Sequence, residues 1–194
     1  MTDIDWDTGS WLNAPAAVRR DDDGLTVESV AGSDFWRYTS YGFLRHSGHA
    51  LLVDFPDDSA MEVCFEGRYV RQFDQAGLFL CFDEEHWAKT GIEMVDAAAR
   101  LGAVITAPHS DWSTSTAPGW ETGPITVRVS RRHDALTIRA KRENEEWELV
   151  RVFTLAGEGP LRAGPYLCSP EGPGLAVRFI SWRLVAADDG LHED

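Results

Sequence analysis

Polar and apolar residues alternate with a period of two along much of this chain, and that rhythm restricts it to strands packed in sheets. Ile125-Thr126-Val127-Arg128-Val129-Ser130-Arg131 keeps the alternation most cleanly, and Leu136-Thr137-Ile138-Arg139-Ala140-Lys141 repeats it. The segment Arg132-His133-Asp134-Ala135 between them reads as a hairpin connection. Ala60–Glu66 places Val63 and Phe65 on one side and Glu62 and Glu66 on the other, the acids reading as solvated. Two further strands are expected over 146–153 and 175–184, and shorter runs over 25–30, 49–55, 77–82, 86–95 and 103–107. Turn clusters such as Pro56-Asp57-Asp58-Ser59 and Pro170-Glu171-Gly172-Pro173-Gly174 separate them. The best helical stretch, 95–101, contains three alanines but spans only about two turns. Many short strands without a long helical stripe predict an all-β sandwich. The expected organisation is one β-sandwich domain over residues 1–187, followed by an acidic tail over 188–194 that frays into solvent.

Charge narrows the partners. Of 194 residues, 18 are Lys or Arg and 32 are Asp or Glu, a formal net charge of −14. Such a chain is repelled by phosphate backbones and anionic bilayers, so neither nucleic acid nor membrane is an expected partner. No apolar run approaches the roughly 20 residues of a membrane span, and Met1-Thr2-Asp3-Ile4-Asp5 does not read as a signal peptide. The three cysteines, Cys64, Cys81 and Cys168, are widely spaced and include no Cys-x-x-Cys pair. They read as reduced, with Cys64 and Cys81 as small buried hydrophobes, which suits a cytoplasmic protein. His46 and His49 are three apart, but no nearby acid or cysteine completes a ligand set, so neither metal nor cofactor is expected. A Gly-x-Ser-x-Gly elbow, a phosphate-binding loop and a dinucleotide fingerprint are all absent from the sequence.

The segment with most chemical content is Arg71–Asp83 followed by Trp87-Ala88-Lys89-Thr90-Gly91-Ile92-Glu93-Met94-Val95. As a strand, the second stretch sends Thr90, Ile92 and Met94 to the core and Lys89, Gly91 and Glu93 to the opposite face. A glycine inside a strand costs stability unless something approaches closely, and Gly77 repeats the feature one strand earlier. Two readings stand side by side: a trough in a sheet where Lys89 and Glu93 meet a ligand, or a surface ion pair with glycines at bulges. Thr106–Ser113 offers a similar choice. Asp111, Trp112 and Ser113 form either a ligand-contact loop, or a local turn whose tryptophan fills the core. In Asp34-Phe35-Trp36-Arg37-Tyr38-Thr39-Ser40-Tyr41 the four aromatics cannot all face one core, so at least one lines a surface or pocket.

Aromatic platforms beside planar polar groups suit carbohydrate recognition. The leading expectation is therefore a carbohydrate or small polyol bound on a concave sheet, stacked on Trp36 or Trp112 and hydrogen-bonded by Asp74, Gln75, Lys89 and Glu93. A glycoside hydrolase is the alternative, its acid and base drawn from Glu93, Asp74 and Asp111.

Several of these motifs recur together. Asp34-Phe35-Trp36-Arg37 with Tyr41-Gly42-Phe43, Phe73-Asp74-Gln75-Ala76-Gly77-Leu78, Trp87–Glu93, Ser110-Asp111-Trp112-Ser113 and Cys168-Ser169-Pro170 stand in this order. The set resembles the domain-of-unknown-function family that includes a yeast "regulation of enolase" protein. The resemblance covers nearly the whole chain. It implies a concanavalin A-like jelly-roll β-sandwich of two antiparallel sheets, the architecture of the lectin/glucanase superfamily, and it supplies fold more than activity. Phe73 departs from it, since the family pattern carries Tyr there. By position it implies a ligand-binding set of Asp34, Trp36, Gln72, Asp74, Gln75, Lys89, Glu93, Asp111, Trp112 and Arg151. The name of the yeast member adds a third expectation, a regulatory partner of a metabolic enzyme, and free sheet edges would allow a homodimer.

Overall fold

The structure is a computed structural model that describes residues 2–172 and 174–191. Its strands run β1 (Thr2–Asp3), β2 (Ser10–Leu12), β3 (Ala17–Asp21), β4 (Gly24–Glu28), β5 (Phe35–Arg37), β6 (Leu44–His46), β7 (His49–Asp54) and β8 (Ser59–Gly67). They continue with β9 (Gln75–Cys81), β10 (Trp87–Val95), β11 (Ala98–Thr106), β12 (Ser110–Thr116), β13 (Ile125–Arg132), β14 (Ala135–Arg142), β15 (Glu148–Phe153), β16 (Arg162–Cys168) and β17 (Ala176–Ala186). One antiparallel sheet has the order β15-β14-β13-β8-β17-β4-β3, with β1 also on β17; a seven-stranded sheet has the order β12-β11-β10-β9-β16-β7-β2. The short β5–β6 ribbon belongs to neither. This is the all-β, concanavalin A-like jelly-roll sandwich. No helix among the described residues is long and apolar enough to cross a membrane.

Alternation decides which face of each strand is buried. Val63, Phe65, Val127, Val129, Ile138 and Phe179 from one sheet pack with Ala76, Leu78, Leu80, Ala88, Ile92 and Leu101 from the other, forming the main core. The intervening residues of the seven-stranded sheet make a second cluster on its outer face: Phe79, Cys81, Trp87, Val104, Tyr166 and Cys168, capped by Phe35. The cysteines are free, Cys81 and Cys168 buried and Cys64 half-buried.

Three expectations are corrected. Residues 95–101 are not helical: Asp96 and Ala97, with φ of 53° and 61°, turn β10 directly into β11. A two-residue turn with both φ positive matches strand twist, and strand pairing outweighs the alanines' helix preference. Glu62 is not simply solvated, because Arg128 donates to it at 2.6 Å on the outer face of the first sheet. The acidic tail does not fray from its first residue. Asp188 pairs with Arg128 and Arg139, and Arg139 also donates to the carbonyls of Gly190 and Leu191. Residues 192–194 lie outside the described part of the chain.

The strand glycines have a reason of their own. Gly77 pairs with Gly91 and Gly91 with Gly102, so three neighbouring strands cross one line without a side chain. A Cβ on Gly77 would lie 2.0 Å from the carbonyl oxygen of Thr90, and one on Gly91 would lie 2.0 Å from that of Ala76. What approaches these glycines closely is thus the backbone of the next strand. Gly91 also has φ of +153°, a conformation side chains rarely adopt. Gly91→Ala is therefore expected to destabilise the protein by more than about 3 kcal/mol in urea titration. Gly123→Ala, at φ +80° but with open space around it, is expected to cost only about 1 kcal/mol.

Candidate functional site

The outer face of β10 carries Trp87, Lys89, Gly91 and Glu93, while Ala88 and Ile92 enter the core. Above this face the β5–β6 ribbon forms a wall. Its loop is tightly wound: Tyr38 N–H donates to Phe43, Gly42 N–H to Tyr38, and Tyr38, Ser40 and Gly42 all have positive φ. Arg37 bolts the ribbon down, its side chain donating to the carbonyls of Pro108 and Glu84 and to Glu85, and its N–H donating to the Ser110 hydroxyl. Wall and sheet enclose a hollow of ≈310 Å³ lined by Asp34, Trp36, Tyr41, Phe43, Arg45, Phe73, Gln75, Lys89, Glu93, Trp112, Pro170 and Glu171. A smaller niche floored by Gly91 and Gly102, with Tyr166 and Thr114, adjoins it.

Aromatic surfaces shape the rim. Trp36 and Trp112 meet at right angles, ring centroids 6.5 Å apart and planes at 87°. Trp112 is 37% exposed, so it stands at the mouth of the hollow and does not fill the core. Tyr41 leans on Trp36 and stacks on Phe43, and the Arg45 guanidinium lies 4.5 Å from the Phe43 ring centroid.

The polar floor is arranged more tightly. Asp34 accepts from the N–H of Phe35 at 2.8 Å, and its own carbonyl accepts from Ser47 and Gly48, which fixes the residue at the ribbon's entry. Lys89 Nζ lies 3.6 Å from Asp34 Oδ1, beyond hydrogen-bond distance, with its side chain only 5% exposed. No acceptor among the described residues takes a hydrogen bond from this ammonium, which leaves its donors facing the hollow. Gln75 Nε2 donates to the carbonyl of Phe73 at 3.1 Å and to Glu93 Oε1 at 3.3 Å. Burial pushes the Glu93 carboxyl up to about 7; Asp34 adds to the rise and Lys89 opposes it.

Six of the ten residues expected to bind ligand thus line the hollow: Asp34, Trp36, Gln75, Lys89, Glu93 and Trp112. The other four do not, for reasons of parity and pairing. Register places Gln75 opposite Glu93, so Asp74, one residue earlier, turns away. Its oxygens accept from the N–H groups of Val70 and Arg71 and from the Ser169 hydroxyl, shaping the loop that presents Phe73. Gln72 clasps the β10–β11 turn, exchanging two hydrogen bonds with Asp96. Asp111, paired with Ile105, lies on the face of β12 opposite Trp112, exposed at the sheet edge, where Arg151 of the opposite sheet binds it and Ser113. The acid–base pairs anticipated among Glu93, Asp74 and Asp111 are therefore not assembled, since Glu93 alone of the three faces the hollow.

Arg45, Phe73, Tyr41, Phe43, Pro170 and Glu171 complete the lining but were not expected there as site residues. Tyr41 and Phe43 belong to a motif visible in the sequence; the position of Arg45 follows only from pairing of Trp36 with Arg45 across the ribbon. His49 is a structural residue. Its Nε2 accepts from Val30 N–H and its Nδ1 lies 3.0 Å from the Asn13 carbonyl, to which it donates.

A jelly-roll sandwich with a walled, partly polar hollow on the outer face of its seven-stranded sheet is the class defined by this geometry. The chain belongs to the family described as "Protein of unknown function (DUF1349)", which matches residues 11–187. It is 38% identical over 186 residues to Regulation of enolase protein 1 of Saccharomyces cerevisiae, covering 95% of this chain and 93% of that protein. A solved structure of a functionally unknown protein from Saccharomyces cerevisiae superposes with a TM-score of 0.86 at 36% identity, over 94% of this chain and 98% of that one. A xylan β-1,4-xylosidase from Bacillus halodurans C-125 shares the fold alone, with a TM-score of 0.65 at 15% identity, over 82% of this chain and 32% of that one.

The raised Glu93 carboxyl makes stability depend on pH. The folded protein keeps this proton up to about pH 7, whereas the unfolded chain releases it near 4.5. Its contribution is present at low pH and is lost as pH rises through 7. Glu93→Gln is expected to match the parent's melting temperature at about pH 4 and to exceed it by about 3–6 °C at about pH 8, measured by differential scanning calorimetry.

Proposed function

We propose that the hollow binds a carbohydrate or small polyol of about one ring. The observation that carries this reading is the buried Lys89 side chain, which lines the cavity with its ammonium 3.6 Å from Asp34, an ion pair without a hydrogen bond. Asp34 balances the ammonium's charge but takes no hydrogen bond from it, and a hydroxylated ligand supplies acceptors for those donors. The hollow's ≈310 Å³ lies at the small end of the usual range for ligand sites, about 300–1,000 Å³. The corner made by Trp36 and Trp112 offers flat apolar surface for the C–H face of a sugar. Asp34 and Glu93 would accept from hydroxyls, and Lys89 and Arg45 would donate to them.

A glycan array followed by calorimetry on the tightest sugar tests this. Lys89→Met is expected to abolish binding, and Trp112→Ala to weaken it about tenfold, the loss of one aromatic contact of about 1.4 kcal/mol. Gln72→Ala and Asp111→Asn, outside the hollow, are expected to bind as the parent does. Undiminished binding by the Lys89 variant would remove this site.

A further inference from the structure

The charged groups in the hollow come from four separate segments. Asp34 precedes β5, Arg45 lies on β6, Lys89 and Glu93 on β10, and Glu171 follows β16. Asp34 lies 3.6 Å from Lys89 and 4.0 Å from Arg45, so one carboxylate faces two cations. Tyr166 and Cys168 of β16 lie on the same outer face, and burial keeps both protonated. Gln75, from β9, is neutral and holds one oxygen of Glu93. With Glu93 protonated, two carboxylates face two cations; with Glu93 ionised, three do.

We propose, on the reading of the hollow as a sugar site, that it selects an uncharged sugar ring over charged counterparts, with the Glu93 proton setting how strongly an acid sugar is rejected. The 3.6 Å gap between Lys89 Nζ and Asp34 Oδ1 is too long for a direct hydrogen bond. It is short enough for one hydroxyl oxygen to reach both, accepting from the ammonium and donating to the carboxylate. A carboxylate ligand has no proton to give Asp34 and adds a negative charge beside it. A quaternary ammonium group has no lone pair to offer Lys89 and is repelled by it and by Arg45, despite the aromatic walls. Burial moves the release of the Glu93 proton to about 7, so the hollow gains a negative charge near neutrality.

The test uses the intact protein with matched pairs, D-glucose with D-glucuronate and D-galactose with D-galacturonate, and with choline as a permanent cation. Calorimetry and ligand-observed NMR read binding at pH 6 and pH 8. The neutral sugar of at least one pair is expected to bind more tightly than its acid at both pH values, with choline silent. The Kd of the uronate is expected to rise about tenfold between them, the effect of one added charge lining the same solvent-screened hollow. Glu93→Gln is expected to remove that step, and Arg45→Gln to keep it while weakening the uronate further. Tighter binding of a uronate or of choline would overturn the selectivity and leave the ligand site standing. A uronate affinity indifferent to pH, or a step that survives in Glu93→Gln, would overturn the role of Glu93. Silence from every probe would overturn the sugar reading itself.

Discussion

Three neighbouring strands pass each other so closely at Gly77, Gly91 and Gly102 that a single Cβ at either of the first two would strike a carbonyl oxygen 2.0 Å away. The seven-stranded sheet depends on this bare line. Lys89 and Glu93 stand on either side of it, on the same face as Gly91, and the niche beside the main hollow has Gly91 and Gly102 as its floor. A Cβ at any of the three positions would run into the backbone of the adjoining strand and disrupt the pairing. Backbone packing and an open polar face are thus one feature.

Around that floor, support is separated from contact. Asp74, Gln72 and Arg37 hold loops and the ribbon by hydrogen bonds to backbone and neighbouring side chains, outside the hollow. Asp34, Lys89, Gln75 and Glu93 line it. The first group is largely satisfied by its own partners; in the second, Lys89 has none within hydrogen-bond distance and Glu93 shares one weak donor. Asp34, 3.6 Å away, balances the charge of Lys89 without taking a hydrogen bond from it.

Much of the fold was legible because alternation transmits burial directly. Val63, Phe65, Val127 and Val129 fall inside as their spacing requires, and the hairpin at His133-Asp134 joins β13 to β14 as the turn residues suggest. The face carrying Lys89 and Glu93 followed from the same rule. The rule also explains the misplaced residues. Asp74 and Asp111 each sit beside a lining residue in sequence, and on a strand the neighbour points the other way. Motif membership carried them into the expected site, and parity takes them out. The stretch from Val95 to Leu101 misled for another reason: alanines favour helix locally, but two long strands pairing on either side of Asp96-Ala97 decide the outcome.

The amino-acid order alone determined the strand faces, the two-sheet architecture and the presence of a cation and an acid on the face of one strand that turns away from the core. Those are local or periodic properties, set by which side chains avoid water. Only the tertiary structure decided that this face floors a hollow. The wall comes from a ribbon more than forty positions away from β10 in sequence, Arg45 arrives by pairing with Trp36, and Glu171 arrives from the far end of the chain. Charge balance and the raised Glu93 carboxyl depend on distances between segments that share no sequence neighbourhood, and no period along the chain encodes them.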